Sequence, residues 1–328
     1  MPPKQLIVIG ASAGGVSALQ ELVRALPLDL GVPIFVVQHI PNSTVSVLPT
    51  ILNRAGGLRA FHPEDNQEIV PNRIYVAPSD HHLLIEDGRV RVWRGPEENR
   101  HRPSIDALFR SAAGAHGEGV IGVVLTGFLD DGTNGLIAIK QCGGTAIVQD
   151  PEDAASPGMP QSAVERVDVD YVLPLAEIPG AIVELVRKAP AQEGERHIAE
   201  ATEAGEKPST LTCPDCHGAL WELAEGDALT FRCRVGHIYS ADGMYSAQAD
   251  SVERALWAAT RSLEESAVLS RRLAQRARDR EQSAAARLFE QRASDKEKHA
   301  TLLREVLEND EKRIPRGSVS TAMQEKSA

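Results

Sequence analysis

Cysteine is scarce, with four in 328 residues, and three of those (Cys213, Cys216 and Cys233) cluster with His237 while Cys142 stands alone. That distribution argues against a disulfide-stapled secreted fold and for metal binding. No apolar run approaches the roughly 20 residues a membrane-spanning helix needs. Met1-Pro-Pro-Lys-Gln5 leads straight into a four-residue apolar run, not a signal peptide, so a cytoplasmic protein without membrane insertion is expected. A basic patch is also missing. The net charge is -11 and the acids are spread along the chain, which argues against a nucleic-acid surface. Glycine and proline are absent between Gly243 and Pro315, where Leu256, Leu263, Leu273, Leu288, Leu303 and Leu307 recur among charges. With the helix breakers gone, a long helix or helical hairpin is predicted over 240–312.

What is present, over residues 1–188, is βα order. Apolar runs Leu6 to Ile9, Ile34 to Val37, Ile74 to Val76, Val120 to Leu125 and Ala146 to Val148 alternate with helix-like stretches. Val16, Leu19, Leu22, Val23 and Leu26 recur at three- and four-residue spacing, the pattern of a helix packing one face on a sheet. Leu83 to Ile85, Asp87-Gly88 and Val90 to Trp93 read as a hairpin. The expected fold is α/β, a doubly wound, mostly parallel sheet. Between 189 and 211 periodicity dissolves into Pro, Gly, Glu and Ala, the composition of a flexible linker. A small metal-binding module over 212–239, the helical segment and a disordered tail over 313–328 complete the expected order.

Three loops follow strand-like runs and carry reactive side chains: Ser12 in Gly10-Ala-Ser-Ala-Gly-Gly15, His39 in Gln38-His-Ile-Pro41, and Asp131 in Thr126-Gly-Phe-Leu-Asp-Asp-Gly132. In open α/β sheets such loops gather at one crevice, so a nucleophile, a base and an orienting acid can converge. Glycines around Ser12 permit a tight strand-to-helix turn, and a helix N-terminus there favours an oxyanion. Ser12 stands where a dinucleotide fingerprint wants glycine, and Gln38 and His39 stand where it wants an acid. Val16 and Ser17 replace the Lys and Ser/Thr of a Walker loop. A phosphate-binding loop and a plain βα corner remain the alternatives. His81, His82 and His101 are rival bases, and Asp130 and Asp150 rival acids, that spacing alone does not separate.

Cys213-x2-Cys216, sixteen residues, then Cys233-x3-His237 supplies two knuckles of ligands suited to tetrahedral Zn²⁺. Four protein ligands leave no open position, so the role is structural. His217 is a rival ligand, and His237 is preferred because it completes the second knuckle.

The segments VIGASAGGV, VVQHIP, IYVAPSDHHLLI, HRPSIDALFRSAA, LTGFLDDGTNGL and GGTAIVQDPEDAASPGMPQSA resemble, in order over roughly residues 5 to 188, the catalytic domain of the CheB chemotaxis methylesterases. The resemblance implies a serine hydrolase with Ser12 as nucleophile, His39 as base and Asp131 as acid, and no cofactor for catalysis. It further implies that the backbone N–H of Phe128 helps bind the oxyanion. The substrates implied are glutamyl methyl esters on the cytoplasmic helical bundles of chemoreceptors, with deamidation of receptor glutamines also admitted. Phe128 and Leu129 stand where the family pattern has Met and Gly, and Ala13 where a hydroxyl residue is frequent. If that glycine needs a positive φ, Leu129 is strained or the turn is rebuilt. The familiar receiver domain ahead of the esterase is missing, so control by phosphorylation in cis is not expected. CPDCHGAL, FRCRVGHIYS and VERALWAATRSLEE resemble a C-terminal extension of some members. The Leu and Ala stripe of that extension is read as packing on its hairpin partner, the alternatives being that the helices dimerise, dock on a receptor bundle or cover the crevice. The rival function is a catalytically silent binding or scaffold protein in chemosensory signalling, its oxyanion turn spoiled.

Overall fold

The computed structural model describes residues 5–40, 44–188, 207–225 and 228–313. The chain runs β1 (Leu6–Ala11), α1 (Gly15–Ala25), β2 (Ile34–Gln38), α2 (Leu48–Ala55), β3 (Arg59–Phe61), β4 (Arg73–Val76), β5 (His82–Glu86), β6 (Arg89–Trp93), α3 (Ile105–His116), β7 (Val120–Val124), α4 (Thr133–Gln141), β8 (Thr145–Gln149), α5 (Gly158–Arg166), β9 (Tyr171–Leu173) and α6 (Ile178–Arg187). Seven strands form one parallel sheet in the order β3-β4-β2-β1-β7-β8-β9. The expected α/β sheet is therefore present, with β5 and β6 as a separate antiparallel hairpin.

Strands buried on both faces need no polar alternation, so LIVIGA and IFVVQ read as nearly continuous apolar runs. Alternate side chains still go to opposite sides. Leu6, Val8, Phe35 and Val37 pack with α3, α4, α5 and the hairpin, whereas Ile7, Ile9, Ile34 and Val36 pack with α1, α2 and α6. The three-residue edge strands β3 (Arg-Ala-Phe) and β9 (Tyr-Val-Leu) are too short to stand out in sequence and are defined by pairing with β4 and β8. Because β1 lies between β2 and β7, successive crossovers leave it in opposite directions. The carboxyl ends of β1, β2 and β7 thus frame the crevice expected at such a switch point.

A four-stranded antiparallel sheet follows: β10 (Lys207–Thr212), β11 (Ala219–Glu225), β12 (Ala228–Cys233) and β13 (Ile238–Ser240). β10 begins inside the stretch read as linker, because pairing with β11 organises a segment whose composition has no periodicity. The remainder of that stretch, 189–206, lies outside the described residues, as do residues 314–328 of the tail.

Contacts divide the chain into Met1–Met244 and Tyr245–Ala328. The second unit holds most of α7 (Ala241–Asp279) and all of α8 (Ser283–Arg313). Its buried seam is made of small residues seven apart, Thr260, Ala267 and Ala274 on α7 and Ala286, Ala293 and Ala300 on α8, followed by Leu307. The Leu and Ala stripe read from the sequence supplies this seam mainly through its alanines: Leu307 is buried, whereas Leu288 is 51% exposed. A heptad of alanines lets helices approach closely, and Arg271–Glu297 (2.7 Å) and Arg278–Glu290 (2.9 Å) cross between them. No described helix is long and apolar enough to cross a membrane.

Candidate active site

β1 delivers Ser12 into a corner that is fixed from three sides. Its N–H donates to Thr126 O (2.9 Å), its carbonyl accepts from Gly15 N–H (2.9 Å), and Gln38 Nε2 donates to the same carbonyl (2.8 Å). Gly14, at φ 78°, turns the chain into α1 in the left-handed region that glycine adopts without strain. Gly127 must also lack a side chain, since a Cβ there would sit 2.8 Å from Ser12 Cβ and 2.1 Å from Met159 Sδ. Ser12 therefore lies directly against the Gly127–Phe128 turn. The N–H of Gly127 is occupied by Ser156 O (2.9 Å), whereas those of Ala13 and Phe128 have no partner among the described residues.

Across the crevice, His39 Nε2 lies 2.8 Å from Asp131 Oδ2. The other ring nitrogen, Nδ1, is buried without a partner among the described residues. The His101 ring lies flat on His39, centroids 3.6 Å apart and 15° from parallel. Burial, followed by the nearby His39, pulls the His101 imidazole down to about 3, so at neutral pH it is an uncharged plate.

Asp131 sits at the N-terminus of α3. Oδ2 also accepts from Ile105 N–H (2.8 Å), and Oδ1 accepts from Asp106 N–H (3.1 Å), Ser104 Oγ (3.1 Å) and Asn99 Nδ2 (3.2 Å). Burial alone would raise its carboxyl, but the hydrogen bond and charge of His39, then His101 and Ile105 N–H, hold it well below the ordinary carboxylate range. Asp106, one turn away, receives Gly132 N–H (2.9 Å), Gly135 N–H (2.7 Å) and Asn99 Nδ2 (2.9 Å). Burial and then the charge of Asp131 push its carboxyl well up.

Of the rival residues, His101 lies on His39 itself, and the others face different partners. His82 is buried between Pro96 O and Ser104 N–H, and His81 bonds the carbonyl of Ser79. Asp130 faces Ser240 and Arg166, and Asp150 closes a turn with Glu152 N–H. Sequence reading missed Asn99, Ser104 and Asp106 as polar partners of Asp131. The signal lay in their nearness to the quoted HRPSIDALF segment, where polar side chains precede a helix. Leu129 takes φ 62°, so a branched side chain bears left-handed strain, at a cost of about 1–2 kcal/mol.

In the small sheet, Cys213, Cys216, Cys233 and His237 bring their ligand atoms within 4.8 Å of one another, a cluster able to hold a metal ion. His217 is not part of it: its N–H closes the first knuckle onto Cys213 O (2.8 Å), with φ 57°. Tyr239 OH donates to Asp215 and lies 3.5 Å from Cys213 Sγ, an outer contact to the cluster.

Residues 7–182 match the family model described as CheB methylesterase. A protein-glutamate methylesterase/protein-glutamine glutaminase of Hydrogenovibrio crunogenus is 38% identical over 191 residues, covering 57% of this chain and 50% of the relative. A Leptospira interrogans protein, whose name assigns the same activities provisionally, is 41% identical over 182 residues, 55% of this chain and 94% of its own length. The chain thus spans about half the length of the first relative and nearly all of the second. The crystal structure of the Thermotoga maritima CheB methylesterase catalytic domain aligns with TM-score 0.53 and 36% identity over 55% of this chain and 97% of that one.

Proposed function

This chain belongs to the CheB methylesterase family, and on that premise we propose that Ser12, His39 and Asp131 hydrolyse glutamyl methyl esters of chemoreceptors. The observation that carries the reading is the 2.8 Å His39–Asp131 pair, set opposite the Ser12 corner, with the second imidazole nitrogen free of partners among the described residues. With Asp131 holding Nε2–H, Nδ1 is the lone pair left to take the Ser12 proton as Oγ attacks the γ-carbonyl carbon. The oxyanion then meets the N–H groups of Phe128 and Ala13 at the positive end of α1. His39 returns its proton to methoxide, methanol leaves, and the acyl-enzyme is opened by a water that His39 activates. With a glutamine side chain the same steps release ammonia, which makes the chain a glutaminase as well.

The metal cluster is read as a structural zinc site. The sulfur–sulfur distance of 3.6 Å (Cys216–Cys233) and the sulfur–nitrogen distances of 3.6 Å and 3.4 Å to His237 Nδ1 approach the edges of a tetrahedron with bonds of about 2.3 Å to sulfur and 2.0–2.1 Å to nitrogen. Bound there, zinc would supply folding energy to the ribbon and no chemistry to the esterase. A cytoplasmic location follows from receptor helical bundles as partners.

The deciding experiment measures methanol release from methylated receptor cytoplasmic domains. Release by the wild type that disappears in Ser12→Ala supports the reading. No release from folded wild type on verified substrate would turn the reading toward a silent binding protein.

A further inference from the structure

The ribbon reaches the catalytic pair through one side chain. Asn99 N–H donates to Ile238 O (2.8 Å), and Ile238 N–H donates to Glu97 O (3.4 Å), so residues 97–99 pair with β13. The Asn99 amide spans the joint. Its Oδ1 accepts from Ser240 N–H (2.8 Å), and its Nδ2 donates to Asp106 Oδ2 (2.9 Å) and Asp131 Oδ1 (3.2 Å). Both hydrogens and the oxygen are used, and the residue is buried. An amide suits the place because two carboxylates need donors and one backbone N–H needs an acceptor.

Other contacts hold the same joint. Ser240 Oγ donates to Asp130 Oδ1 (2.8 Å), and Arg166 pairs with Asp130 (3.1 Å) and with Asp242. Gly236, inside the second metal knuckle at φ 105°, packs so closely on Pro96 that a Cβ would come within 2.8 Å of its ring. Asn99 and Arg100 take consecutive left-handed conformations, φ 50° and 67°, costly geometry that persists only where the surroundings enforce it. Immediately after them comes His101, the plate lying on His39.

We propose that the ribbon is a built-in brace of the esterase, in which β13 holds Asn99 as a positioning residue for Asp131 and thereby seats His101 on His39. Folding of the ribbon around its metal then sets turnover at a site that the metal does not touch. The proposal rests on the reading of His39 and Asp131 as the catalytic pair. It also gives the ribbon a role that the hydrolysis itself does not require.

The test uses full-length, zinc-loaded protein beside Cys216→Ser, Asn99→Ala and chelator-treated wild type. Three quantities are followed: metal per chain, the imidazole NMR signals of His39 and His101, and kcat and KM for methanol release. Stacked rings shift each other's resonances, so the NMR reads the brace without any turnover. Emptying the ribbon is expected to abolish the stacking shifts and lower kcat by about 10-fold or more, the scale of a small misplacement of catalytic groups, with KM little changed. Asn99→Ala should do the same while retaining its zinc. Where Asn99→Ala fails to fold, Asn99→Asp keeps the acceptor for Ser240 N–H and removes the amide donors. Unchanged imidazole signals and kcat in metal-free protein would overturn the brace. Stacking shifts that respond to zinc in a protein releasing no methanol would support the brace and count against the functional reading alone.

Discussion

Asp106 and Asp131 cap each other's helices. Asp131, just ahead of α4, accepts the N–H groups of Ile105 and Asp106 at the start of α3, while Asp106, in the first turn of α3, accepts Gly132 and Gly135 N–H at the start of α4. Two helix N-termini thus face two carboxylates, and the positive ends offset part of the cost of burying them. One of the pair, Asp131, stays ionised and holds His39. The other carries the raised affinity for a proton.

Loss of the nucleophile or base should abolish catalysis without unfolding the protein. Ser12→Ala and His39→Gln are expected to lower kcat for methanol release by about 10⁴-fold or more, and Asp131→Asn by about 10⁴-fold. Steady-state assays on variants with wild-type circular dichroism provide the measurement. Losses under tenfold would remove these residues from the mechanism.

His101 should make the domain acid-sensitive. Its folded pKa, about 3, lies below the ordinary value near 6.5, so its contribution to stability is complete above about pH 6.5 and declines as pH falls toward 3. His101→Phe keeps a flat ring over His39 and has no proton to gain. Between pH 7 and pH 4 the variant should lose about 3 kcal/mol less stability than wild type in urea melts. Parallel pH profiles would contradict the assignment.

Leu129→Gly should relieve backbone strain. A left-handed leucine costs about 1–2 kcal/mol relative to glycine's tolerance of positive φ, partly offset by glycine's larger chain entropy. A gain of about 0.5–1 kcal/mol is expected, with methanol release within about twofold of wild type because glycine adopts the conformation Leu129 already holds. A loss of stability would show that packing of the leucine side chain outweighs the strain.

Ala293 lies in the α7–α8 seam with 1% exposure. Enlarging it in Ala293→Leu should push the helices apart and destabilise the hairpin by about 1–3 kcal/mol, seen as a lower thermal midpoint for the helical circular dichroism signal. Leu288→Ala, on the exposed side, should change that midpoint little.

The order of strands and helices was legible in the residues because a parallel strand buried on both faces must be an unbroken apolar run, and β1, β2 and β7 are such runs. Ser12, His39 and Asp131 were legible as candidates for the same reason: each follows one of those runs. The metal knuckles were legible from spacing, since ligands two to four residues apart close a local turn. Tertiary structure decided what local pattern cannot. It gave His39 and His82, and Asp131 and Asp130, different partners far apart in the chain, and it placed φ 62° on a leucine. It selected, from a stripe of Leu and Ala, mainly the alanines for the seam, because closeness of approach, not hydrophobicity alone, decides what two helices bury. It also joined Asn99 to Ser240 across 141 positions. A hydrogen bond between such distant residues leaves no periodic trace in sequence, because its geometry exists only after both domains have folded.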